Sequence, residues 1–182
     1  MTADEAIQDI GGRMYDPPLV GIRYQQDYPD LENPLHVIFL LCDCDIEIQM
    51  NGLLGFLENS TGEHLQATIN ALSGIGANHA AEDLRRISDC MSRHGITWAG
   101  LRADLEDSKE FEITTFAKTH GDRLRPFTEE LRSIAPVFVI FAHSSGDPVY
   151  DLLCAYIEPR MEHLAEITAN EEAQQDAPSN GG

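Results

Sequence analysis

The chain has 182 residues, a usual length for one domain, with 31 acidic against 12 basic side chains and a formal charge of −19. Hydrophobic residues are 42% of it, enough to build a core, so the acidity does not signal wholesale disorder, but it argues against nucleic acid or an anionic membrane as direct partner. Four cysteines make no disulfide scaffold, the start MTADEAIQDIGG lacks the features of a signal peptide, and the longest apolar run, Val37 to Cys42, is far short of the ~20 residues of a membrane span; the expectation is a soluble, cytoplasmic protein.

Residues 1–15 read as a loose arm or a short helix, and Asp16-Pro17-Pro18 as a turn or extended link. Residues 24–34 are polar with two prolines and read as a loop, so 1–34 form an arm and loop before the main body. Residues 35–50, LHVIFLLCDCDIEIQM, carry two signals. Asp43 to Ile48 alternate with period two, as in a strand, while Leu35, Ile38, Cys42 and Ile46 trace a helical face behind Pro34. Asn51-Gly52 ends whichever element this is.

Leu53 to Leu57 form a short amphipathic helix. Leu65, Ile69, Leu72 and Ile75 follow at helical spacing, with Gly76 where a left-handed C′ residue belongs. Asn78 can cap a helix with Ala81, Leu84, Ile87, Cys90 and Met91 on one face, ended by His94-Gly95. Residues 127–135 read as a helix capped by Thr128, and 137–142 as a strand or a helix broken at Pro136. Asp147-Pro148 starts a last helix on the N-cap and N1 rule, with a face of Leu152, Leu153, Tyr156 and Ile157. Helices are thus expected over 35–50, 53–58, 63–75, 78–93, 127–135 and 148–158, with Leu65, Ile69, Leu72, Leu84, Ile87, Leu152 and Tyr156 buried. Residues 35–169 make one domain, and 170–182, nearly free of apolar residues, a disordered acidic tail.

The charge is uneven. Residues 1–50 carry a net −8 and 151–182 a net −6, and no Lys or Arg stands between Arg23 and Arg85. Asp27, Asp30, Glu32, Asp43, Asp45, Glu47, Glu58 and Glu63 all fall in that stretch. Bacterial cytoplasmic proteins are often acidic for solubility alone; such a run also fits a surface that attracts a basic partner.

Residues 51–91 resemble a known family. NGLLGFLEN followed by ALSGIGANHAAEDLRR is similar to the bacterial acidic DNA-mimic proteins, with Asn51, Gly52, Phe56 and Asn59 fitting one motif and Ala71, Leu72, Ile75, Gly76 and Ala77 a second. Leu53 stands where a second Gly is usual in that family, and Gly55 where Gln is usual. The resemblance implies an all-α fold, a single compact helical domain with irregular connections, and action by binding a DNA-binding protein in place of DNA. The matched Asn, Gly and apolar positions suit scaffold roles: Gly76 for a left-handed turn, Asn51, Gly52 and Asn59 for caps or turns.

No enzyme constellation is present. Seven histidines occur without a zinc-protease, nucleophile-elbow or phosphate-loop motif. His143-Ser144-Ser145-Gly146-Asp147 reads as a loop with a helix cap, and Cys42-x-Cys44 as two structural thiols, since zinc sites use cysteine pairs at wider spacing. No catalytic residue, metal or cofactor is expected. The expected partner is a basic DNA-binding protein, or a nuclease if the chain is an immunity or antitoxin protein. Its contacts would be Asp43 with Glu47 on one helix face, and Asp27, Asp30, Glu32, Glu58 and Glu63 in the same field.

Overall fold

The segment that carried both a strand and a helix signal is the longest helix of the structure. The computed structural model describes residues 1–106, 115–134, 140–141 and 146–176. Among them are nine α-helices and no strand: α1 Ala3–Arg13, α2 Pro34–Glu58, α3 Leu65–Gly74, α4 Asn78–Arg93, α5 Trp98–Glu106, α6 Phe116–His120, α7 Arg125–Ile134, α8 Val149–Ile157 and α9 Met161–Asp176. Turns of 3₁₀ helix join several of them, at Leu19–Tyr24, Ser60–His64, Asp122–Leu124 and Glu158–Arg160. The fold is all-α. No helix among the described residues is long and apolar enough to cross a membrane.

α2 starts as its sequence suggests, with Asn33 Oδ1 accepting from Leu35 N at 2.9 Å and Pro34 in the first turn. From Pro34 to Asp45 every residue is buried. A helix buried all round has no polar face and therefore no 3.6-residue period, so pattern alone could not separate it from a strand. Gly52 stands at φ 70°, ψ 176°, outside helical space, and breaks the axis where Asn51-Gly52 signals an end. α1, α3, α5, α9 and the Ser60–His64 turn all pack on α2; α3 pairs with α4, α4 with α7 and α1 with α8.

Of the two readings of residues 1–15, the short helix holds and the loose arm does not: α1 covers Ala3–Arg13. Thr2 and Glu5 form a reciprocal capping box at the start of α1, and Ala3, Ala6, Ile7, Ile10 and Met14 are core residues. Residues 170–176, expected as tail, continue α9; 177–182 lie outside the described residues. Most of the 137–142 segment also lies outside them, and Ile140 and Phe141 form a bend. α8 buries Val149, Leu153 and Ile157, one residue on from the expected Leu152 and Tyr156, which are only partly buried. Leu65, Ile69, Leu72, Leu84 and Ile87 are buried.

The α3–α4 junction is a Schellman turn. Ala77 N donates to Leu72 O at 2.8 Å and Gly76 N to Ser73 O at 3.1 Å, with Gly76 at φ 87°. Asn78 makes no cap, because the N-terminus of α4 is capped from far along the chain: Asp147 Oδ2 accepts from His79 N at 2.7 Å and Ala80 N at 3.1 Å. Asp147 Oδ1 lies 2.8 Å from His79 Nδ1. The local N-cap of α8 is Pro148. Thr128 is no cap either: it sits within α7 and donates to Arg125 O at 2.9 Å.

These turns make stability testable at two positions. Gly76→Ala should cost about 1 kcal/mol, because alanine is strained at this φ whatever the space around it; urea unfolding at constant m-value would measure it. Asp147→Ala should cost about 1–2 kcal/mol at neutral pH by uncapping α4. Burial pushes the Asp147 carboxyl up, but the His79 and Ala80 hydrogen bonds outweigh it and hold its pKa below the usual value. The cap's contribution is thus present above the unfolded carboxyl's pKa of ~3.9 and is lost as pH falls through the lower folded value. The gap between the two proteins, followed in urea titrations, should close in that acid range.

Candidate partner-binding surface

The acidic, base-free stretch is largely spent inside the protein. Asp43 is 4% exposed, and Arg23 grips it with two bonds, Nε to Oδ2 at 2.6 Å and Nη2 to Oδ1 at 2.7 Å. Tyr15 O–H donates to Oδ1 at 2.7 Å. Asp45 is also buried and accepts from Gln49 Nε2 and from Phe141 N at 3.0 Å. Glu47 accepts from Asn51 Nδ2 at 2.9 Å and Asn59 Nδ2 at 2.6 Å, which ties the two sides of the Gly52 kink together. Gly55 supports this latch, since a Cβ there would overlap the Asn51 side chain. Asn51 and Asn59 therefore serve the backbone geometry of the motif. Asp43 and Glu47 do not form an exposed pair for a partner, although both lie on α2.

Glu58 is held too. His120, fully buried, places Nε2 2.8 Å from Glu58 Oε2 and Nδ1 2.8 Å from Asp104 Oδ2. Arg123 also pairs with Asp104, and the Trp98 indole donates to Asn59 O at 2.7 Å. The bond from His120 chiefly holds the Asp104 carboxyl below its usual pKa. This cluster ties α5 and α6 to the end of α2. His120 was only one of seven histidines in the sequence, since its two carboxylates lie 16 and 62 residues away. Cys42 and Cys44 are buried inside α2, and burial followed by the Asp43 charge pushes the Cys42 thiol up to about 12, as suits inert structural thiols.

The exposed carboxylates lie elsewhere. Asp27, Asp30 and Glu32 are exposed in the loop before α2, and Glu63 in the turn before α3. Asp4, Glu5 and Asp9 are exposed on α1, and Glu162 and Glu166 on α9. The fold joins these segments. Gln25 Nε2 donates to Glu171 Oε2 at 2.9 Å, linking the loop to α9. Tyr156 O–H of α8 donates to Leu31 O at 3.3 Å, and Tyr150 O–H to Asp4 Oδ1 of α1 at 2.7 Å. Burial lowers the His36 pKa, opposed by the charges of Asp27, Asp30 and Glu171, so all three carboxylates bear on one ring.

Residues 1–33 hold seven acids and two bases, and 149–176 seven acids and one base. Nine of the twelve bases fall between Arg85 and Arg132. Those of α4 are paired: Arg85 with Glu82, Arg86 with Asp83 and Arg93 with Glu130. The molecule thus has a nearly balanced region around α4–α7 and a strongly acidic one built from its two ends. A tally of charges along the chain shows the acidic ends, but not that they meet.

The model of the DMP19-like proteins matches residues 29–160, which run from the loop before α2 to the turn before α9. The chain belongs to this family. It is a family of DNA-mimic proteins. The match takes in both motifs, the kink at Gly52 and the turn at Gly76, while α1 and α9 flank it. No curated protein and no solved structure matches the chain.

Asp43→Asn tests the assignment of α2's acids to the scaffold. It leaves Arg23, 16% exposed, without its counter-charge, so the expected loss is about 3 kcal/mol in urea unfolding. A variant as stable as the parent would show that the Asp43–Arg23 pair does not hold the fold.

Proposed function

We propose that this chain acts as a DNA mimic that occupies the DNA-binding face of a basic, nucleic-acid-binding protein. Membership in a DNA-mimic family carries the reading. The segregation of charge supports it: exposed carboxylates with few bases among them gather on α1, α9 and the loop before α2, while nine of the twelve bases lie between Arg85 and Arg132. Asp27, Asp30, Glu32 and Glu63 remain contact candidates from the base-free stretch, and Asp4, Glu5, Glu162 and Glu166 join them.

Spacing sets a condition on such a surface. Glu162 and Glu166 are one turn apart, about 6 Å along the axis, whereas one strand of B-DNA offers a charge every ~3.4 Å. One helix therefore supplies about half of a strand's charge density. Matching DNA takes carboxylates from adjoining segments, which the contacts among the loop, α1, α8 and α9 bring together. Such a field acts first on encounter, by raising the association rate with a cationic partner. The chain itself, at −19, is repelled by the phosphates of DNA, and a cytoplasmic location, where such partners are found, goes with this reading.

The test is capture of partners on the immobilised chain at about 0.1 M and about 1 M salt, where the screening length falls from ~10 to ~3 Å. Duplex DNA then competes for the captured protein. The expected partner is basic, is lost at high salt and is displaced by DNA. Joint replacement Asp27→Asn, Asp30→Asn, Glu32→Gln should slow association about tenfold, with little change in dissociation or in Tm. Captured partners that are acidic, or that hold DNA and this chain at once, would overturn the reading. A captured nuclease silenced by the chain would instead make it an immunity protein.

A further inference from the structure

α4 and α7 pack together and bring a thiol, an imidazole and a carboxylate to one point. His94, the C-cap residue of α4, follows Cys90 by one turn, and Glu130 reaches them from α7. One ligand atom from each lies within 4.8 Å of the other two. Cys90 is fully buried, while the His94 and Glu130 side chains are 26% and 37% exposed. The group therefore has a closed inner end and an outer end open to solvent. We propose that Cys90, His94 and Glu130 bind a zinc ion.

The donor set selects the metal. A thiolate with an imidazole suits zinc, while magnesium and calcium take oxygen donors. Thiolate and carboxylate together balance the charge of Zn²⁺. Zinc bonds of about 2 Å to nitrogen and oxygen place tetrahedral neighbours about 3.3 Å apart. His94 Nε2 and Glu130 Oε2, now 2.8 Å apart, would separate by about half an ångström, within reach of side-chain rotation. Arg93 pairs with the other oxygen, Oε1, and so holds the carboxylate in place while Oε2 turns to the ion. The Cys90 thiol gives up its proton to solvent when it binds the ion. Three protein ligands leave a fourth position for water. The C-x₃-H spacing is no paired-cysteine motif, and Glu130 is 36 residues beyond His94, so the sequence does not announce the group.

The full chain, freed of metal, is titrated with Zn²⁺ in a calorimeter with Mg²⁺ in large excess to occupy surface carboxylates. Co²⁺ then serves as a spectroscopic probe. The expected results are one tight zinc per chain and a thiolate-to-cobalt charge-transfer band in the near ultraviolet. Glu130→Gln and His94→Gln, at partly exposed positions, should each weaken zinc at least tenfold while keeping the helical circular dichroism. Cys90→Ser should abolish the band; if it fails to fold, the other two variants decide. No zinc binding in excess Mg²⁺, a cobalt complex without the band, or an affinity unmoved by Glu130→Gln and His94→Gln would each overturn the proposal.

Discussion

A helix that is apolar on every side, yet carries Asp43 and Asp45 within its buried stretch, sets terms for everything around it. Its side chains must be covered all round, and its two carboxylates must be met by donors, because an uncompensated buried charge costs several kcal/mol. α1, α3, α5 and α9 supply the cover. Arg23 and Tyr15 meet Asp43, and the backbone of Phe141 meets Asp45. The N-terminal segment is thereby part of the core. The family match begins at residue 29, so the cation that neutralises Asp43 lies outside it. A fragment cut at that boundary would keep the buried acid and lose its partner.

The same arrangement sorts the acidity into two kinds. In the middle of the sequence, acids close the kink at Gly52, anchor His120 and fill the Arg23 site. At the two ends they face solvent. Net charge therefore overstates the acids of α2 available to a partner. It also understates the local field at the ends, where few bases dilute it.

Much of the fold was legible because its signals are local. Pro34, Asn51-Gly52, Gly76 and His94-Gly95 mark real boundaries, since helix starts and left-handed turns depend on residues a few positions apart. Ile69 and Leu72 of α3 and Leu84 and Ile87 of α4, read from their helical spacing, are all buried. What escaped were the long-range partners. Asn78 looks like a cap, but Asp147 fills that role, and Asp43 and Glu47 look like a surface row on a helix until Arg23, Tyr15 and Asn59 come into place. Spacing tells which side chains share a helix face; it does not tell whether that face meets water or another element. The acidic region was legible as charge, while its assembly from both ends required the tertiary contacts.

The Asp147 cap also orders events in time. As the chain leaves the ribosome, α3 and α4 can pair as neighbours, but the N-terminus of α4 lacks its acceptor until 68 further residues have been made. The amides of His79 and Ala80 are left to water during that interval. Closure of this loop therefore comes late, and it commits the first half of the protein and the last helices to a single cooperative unit.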